Sequence, residues 1–132
     1  MPHAIIEYSA NIEAEMNLDE LVERVHGAAL ETGVFPLGGL RVRAARREHY
    51  KVADGHPDNA FVHVIMLIGH GRDEMTRTKA AEHVFAAVTN HLDPVFEARP
   101  LGISFEMREI DPATNLKKNN LHEYVKRRQA AE

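Results

Sequence analysis

The spacing of apolar and polar positions changes several times along this chain, and each change marks an element. Ala4–Tyr8 is a short apolar run directly after Met1-Pro2, read as a first strand and broken by Ser9-Ala10-Asn11. Leu18, Leu21, Val22, Val25 and Ala29 then recur at helical spacing. They predict a helix opened by Asn17, with Glu20 as its capping-box partner, that runs to about Thr32 and stops at Gly33. Phe35-Pro36-Leu37-Gly38-Gly39 is a turn, after which Leu40–Ala44 alternates apolar and basic residues, a strand with Arg41 and Arg43 on one face. Lys51–Asn59 reads as a loop. Ala60–Ile68 is the most apolar run, and its length and β-branched content predict a central strand buried on both faces. Beyond Gly69–Arg72, Asp73 is placed to cap a second helix marked by Ala81, Val84, Phe85, Val88 and Leu92, with Asp93-Pro94 expected to end it or to begin another short turn. Ile103–Arg108 is a strand with one wet and one dry face, and Asp111–Glu132 is loop followed by weak helix.

The order is strand–helix–strand written twice, over residues about 2–58 and 59–112, with a tail at 113–132. One α+β domain spanning residues 1–132 is expected, built from two βαβ units with right-handed crossovers. Side by side, these units form a four-stranded mixed sheet with both helices on one face. The other face must be covered by something, because Ala60–Ile68 is apolar throughout. An oligomer that packs its sheet faces together is the economical arrangement.

Composition narrows the function classes. The 132 residues carry a net charge of −4 and are 44% hydrophobic, as in an ordinary globular protein, and neither nucleic acid nor an anionic membrane is implied as partner. The absence of cysteine excludes disulfides, thiolate catalysis and cysteine-based zinc sites. No apolar run is long enough to span a membrane and no leader pattern is evident, so a cytoplasmic location is expected. None of the nine histidines forms the helical pair of a zinc helix; His63 reads as a core or interface residue. Five basic residues in the tail, Lys117, Lys118, Lys126, Arg127 and Arg128, lack an aromatic stacking pattern and read as a solvated or subunit-clasping segment.

The chemistry of greatest interest is at the start. Initiator methionine is normally trimmed before a small residue, which leaves Pro2 with a free secondary amine. An α-amino group titrates near pH ~7.7–8.0, and burial or a nearby cation lowers that further. Such a nitrogen is a competent general base at neutral pH. Read without context, Pro2 simply starts an edge strand.

The segments Met1–Ser9, Gly33–Arg41, Ala53-Asp54-Gly55, Ala60–His63, Ile68–Arg72, Leu101–Glu106 and Asn115–Asn120 follow one another collinearly. Together with the doubled βαβ order, they resemble the tautomerase superfamily, and within it the 5-carboxymethyl-2-hydroxymuconate isomerases. The resemblance is loosest over Ala45–Lys51, where Arg46, Arg47, Glu48 and Lys51 add charge. It implies a homotrimer with active sites near subunit interfaces and no metal or organic cofactor. It also implies a small anionic dienol polycarboxylate substrate from 4-hydroxyphenylacetate (homoprotocatechuate) breakdown. Pro2 is then the base and Arg41 the second catalytic residue. Arg72 binds substrate beside the amide groups of a helix start, and Arg43 reaches a distal carboxylate or, as an alternative, forms a surface or inter-subunit ion pair. The competing expectations are another activity of the same superfamily (decarboxylase, hydratase or dehalogenase-like) and a non-catalytic trimeric binding protein.

Overall fold

The computed structural model describes residues 1–132. Its strands are β1 (His3–Ser9), β2 (Arg41–Arg47), β3 (Ala60–Ile68) and β4 (Leu101–Glu109), and its helices are α1 (Glu13–Met16), α2 (Leu18–Glu31), α3 (Glu74–Ala98) and α4 (Leu121–Ala130). The sheet order is β2-β1-β3-β4. β1 pairs parallel with β2, and β3 parallel with β4, while β1 and β3 meet antiparallel at the centre. Each parallel pair is joined through a helix, so the chain is a βαβ unit laid twice against itself.

A strand's period of two sorts the residues onto two faces. Ala4, Ile6 and Tyr8 of β1 and Val62, Val64 and Met66 of β3 are fully or almost fully buried. They lie beneath α2 and α3, which contribute Leu21, Val25, Ala29, Val84, Val88 and Leu92 to the same core. The alternate positions, Ile5 on β1 and Phe61, His63, Ile65 and Leu67 on β3, are only half-buried in the single chain. The expectation that Ala60–Ile68 is buried on both faces is therefore met on one face only, because α2 and α3 lie on the same side. The register sets the open face in rows: Arg43, Ile5, Ile65 and Glu106 are cross-strand neighbours.

Three local details depart from the pattern read in the sequence. Asn17 does not cap α2 in the expected way: it is left-handed (φ 45°), a conformation Asn tolerates, because α1 turns just ahead of it. Its side chain donates to Glu20 Oε2 at 2.7 Å instead of capping the backbone. Asp93-Pro94 neither ends nor interrupts α3, which continues to Ala98 with Leu92 and Val95 held in the core on either side of Pro94. β2 also runs to Arg47, past the strand expected to Ala44; Arg46 pairs with Glu13 at 2.6 Å and Arg47 with Glu7 at 2.9 Å. Two punctuation marks stand as read: Gly33 leaves α2 with φ 71°, and Asp73 caps α3 by accepting from the Thr76 amide at 2.7 Å.

Because Ile6 is fully buried at the centre of the sheet, Ile6→Ala is expected to cost about 2–5 kcal/mol. Chemical denaturation measures this as a lowered midpoint; a midpoint within error of the parent would contradict the assignment of the core face.

Candidate active site

The amino end of β1 is set by backbone pairing. His3 lies opposite Arg41 in the parallel register, and the Arg41 amide donates to the Pro2 carbonyl at 3.0 Å. Pro2 is buried there, beside the 3-10 turn Leu37–Gly39 that feeds β2. In front of it lies a cavity of about 350 Å³ lined by Met1, Pro36, Gly39, Lys117, Asn119 and His122.

Met1 is present, so its α-amino group stands one residue ahead of the nitrogen that its removal would free on Pro2. The electrostatics at this position favour a neutral amine. Burial, and then the charges of Lys117, Arg41 and Arg72, hold the amino terminus below its ordinary value. His3, next in the chain, is lowered likewise by burial and by Arg43 and Arg41. Kept neutral, its Nδ1 accepts from Arg43 Nη1 at 3.0 Å.

The three arginines named from the sequence occupy different positions. Arg41 is half-buried and tethered: Nη1 donates to the Gly39 carbonyl at 2.6 Å, and Nη2 approaches Asn119 Oδ1 at 3.5 Å. Arg72, from the connection between β3 and α3, donates to the carbonyls of Gly69 at 3.1 Å and Val34 at 2.9 Å. Its guanidinium carbon lies 5.2 Å from the centre of the Phe35 ring, a cation–π contact that holds the group's plane. Arg41 and Arg72 therefore flank the amine from the β2 and β3 sides. Arg43 shares the open face with Arg41, two residues further along β2, and is exposed beside His3.

The residues missed in the sequence come from the tail. Lys117, Asn119 and His122 wall the cavity, although the segment carries no periodic signal. The Asn119 side chain is the fastener: Nδ2 donates to the Gly38 carbonyl at 3.1 Å, while Oδ1 accepts from the Leu121 amide at 3.0 Å. α4 has no buried residue of its own and rests on the Leu37–Gly39 turn. Gly38 permits that approach, since a Cβ there would fall 2.4 Å from His122 Nδ1 and 2.9 Å from its Cα. The only clue in the sequence was that Asn115–Asn120 is one of the collinear segments.

Comparison with known proteins places the chain in a family. The profile of the family described as 5-carboxymethyl-2-hydroxymuconate isomerase matches residues 2–125. The chain belongs to that family. It is 40% identical over 126 residues to the 5-carboxymethyl-2-hydroxymuconate Delta-isomerase of Escherichia coli, covering 96% of this chain and 100% of the relative. The crystal structure of a 5-carboxymethyl-2-hydroxymuconate isomerase from Deinococcus radiodurans R1 superposes with a TM-score of 0.88 at 37% identity, covering 94% of this chain and 93% of the other. A further 5-carboxymethyl-2-hydroxymuconate delta-isomerase structure reaches 0.89 at 28% identity, covering 95% and 93%. At 12% identity and a TM-score of 0.64, a fused 4-OT described as a symmetric trimer shares the fold, covering 89% of this chain and 95% of that one. The tautomerase-like α+β architecture expected from the sequence is the one observed.

Because Gly38 lies against His122, Gly38→Ala is expected to lift α4 from the turn while leaving the sheet intact. Limited trypsin digestion should then cut faster at Lys126–Arg128 with little change in the thermal midpoint. Unchanged protection of that stretch would show that the close approach does not hold the helix.

Proposed function

We propose that this family member isomerises 5-carboxymethyl-2-hydroxymuconate to its 2-oxo isomer without a cofactor, using the nitrogen of Pro2, freed by loss of Met1, as general base. One observation carries the reading: the amino terminus opens on a cavity at the head of β1, where burial and flanking cations press its pKa down. In the reaction, the base removes the proton of the 2-hydroxyl and a C2=O bond forms. The C2=C3 and C4=C5 π electrons move to leave C3=C4, and C5 receives a proton. The same nitrogen can take the first proton and return the second, because burial and the flanking cations lower an amino terminus at this place from its ordinary value.

The substrate is a tricarboxylate, and guanidinium groups suit it because the planar fork bonds both oxygens of a carboxylate. Arg41, already oriented by Gly39 and Asn119, takes the carboxylate at the enol end and stabilises negative charge that builds on the neighbouring oxygen. Arg72, held over Phe35, binds a second carboxylate. Arg43 is a cation of the open sheet face that an anionic substrate, or a neighbouring subunit's carboxylate, would meet.

The same reading includes a cytoplasmic homotrimer. It is supported by the half-buried row of Ile5, Ile65 and Leu67 on the uncovered sheet face, and by the fused 4-OT, which is described as a symmetric trimer. Sedimentation should give a mass about three times the 14.9 kDa chain, and Ile65→Glu should reduce it to the single chain. A monomeric parent protein would refute the trimer.

Intact mass of the active protein should lack one methionine, since a retained Met1 makes the Pro2 nitrogen a non-basic amide. Pro2→Ala and Arg41→Ala should each lower kcat/KM by about 100-fold or more. The sign of the pH effect is fixed: a nearby cation disfavours the protonated amine, so removing Arg41 raises the amine's pKa. The acidic limb of kcat/KM should therefore move to higher pH in Arg41→Ala. Undiminished turnover by protein that retains Met1 would exclude the Pro2 nitrogen as the base, whereas Pro2→Ala still frees an α-amine and tests only the proline ring.

A further inference from the structure

Within the cavity at the amino terminus, only one side chain on the wall is a full-time cation, and it comes from the tail: Lys117. Arg41 and Arg72 are not among the residues that line the cavity, and each already donates to carbonyl oxygens. Lys117 makes no hydrogen bond or ion pair within the chain, whereas Arg46, Arg47 and Arg108 on the edge strands each pair with a glutamate. The segment that carries it is nonetheless anchored, through Asn119 to the Gly38 carbonyl and through His122 against Gly38 itself.

We infer that Lys117 is a substrate-binding residue, which grips a carboxylate borne on C5 of the dienol and makes the C-terminal segment part of the active site. This rests on the isomerase reading above, and the argument is geometric. The nitrogen that returns a proton to C5 must lie close to C5. The two carboxylates at that end, one on C5 directly and one on its carboxymethyl arm, then fall in the cavity that the amino terminus shares with Lys117. A third cation is also what the charge of the substrate calls for, since Arg41 and Arg72 account for two of three carboxylates. An ammonium on a flexible stem suits the carboxymethyl arm, which rotates freely, better than a fixed guanidinium fork does. Lys117 also presses on the amine more strongly than either arginine does, consistent with its lying nearest of the three.

The test uses the full-length protein with 5-carboxymethyl-2-hydroxymuconate at a pH above the acidic limb, so that the state of the amine is equal in every variant. Lys117→Met should raise KM about tenfold and leave kcat within about threefold, the loss expected for one charge-assisted hydrogen bond. Lys117→Arg should restore most of the affinity, and Lys118→Met, one residue away and outside the cavity wall, should behave as the parent. An unchanged KM in Lys117→Met overturns the assignment, including the case in which only the acidic limb moves. An equal rise in Lys118→Met overturns it too, since a general positive field would then account for the effect. Failure of the isomerase reading shows separately, as absent turnover in the parent protein, and failure of the base assignment as full turnover by protein that retains Met1.

Discussion

The register of β1 in the middle of the sheet governs everything else in this molecule. β1 is paired on both sides, parallel to β2 and antiparallel to β3, so its position cannot shift without breaking two ladders at once. Because successive side chains alternate, a slip of one residue would exchange Ala4, Ile6 and Tyr8 for His3, Ile5 and Glu7 beneath the helices. It would bury a charge and a histidine and expose the centre of the core. The hydrophobic effect therefore locks the strand, and the lock carries the chain's amino end with it. Pro2 arrives beside Arg41 because His3 is paired with Arg41, not because any attraction draws the terminus to the arginine.

That arrangement shows how the proposed base would need little beyond the chain's own amino end. A carboxylate or lysine used as a general base must have its pKa moved toward neutrality by several units. An α-amino group starts near the needed range, so modest burial and a few nearby positive charges suffice. In the proposed mechanism the same positive charges would meet a polyanionic substrate, so that tuning the base and recognising the substrate would use one set of residues. The cost is electrostatic crowding among Arg41, Arg43, Arg72, Lys117 and the amine. The structure relieves it by handing the arginines to backbone carbonyls, which draw charge without neutralising it, and by keeping His3 uncharged.

The uncovered sheet face and the C-terminal helix are two surfaces that a single chain leaves incomplete. On the open face, apolar Ile5 and Ile65 lie between Arg43 and Glu106, a mixed row suited to meeting a second copy with both apolar and paired charged contacts. α4, in turn, buries nothing and exposes Leu121 and Tyr124, so its position depends on the Gly38 turn and on Asn119. Since that turn leads into Arg41, the placement of α4 and the orientation of the arginine are mechanically joined.

Local pattern decided most of the architecture. The apolar runs of Ala4–Tyr8 and Ala60–Ile68, the helical stripe from Leu18 to Ala29, the stop at Gly33 and the cap at Asp73 each rest on interactions within a few residues, so the sequence alone settled them. Pro2 and the basic strand were legible for the same reason: the position of an amine or an arginine along the chain is visible directly. What the sequence did not settle depended on distant partners. The continuation of α3 through Pro94 is won by burial of Leu92 and Val95 in a core assembled from other elements. The position of Lys117, Asn119 and His122 at the cavity appears only when a segment some eighty residues away folds back on Gly38, as the separation of 81 between Asn119 and Gly38 illustrates. Contacts of that span are set by how the elements pack, and no local periodicity records them.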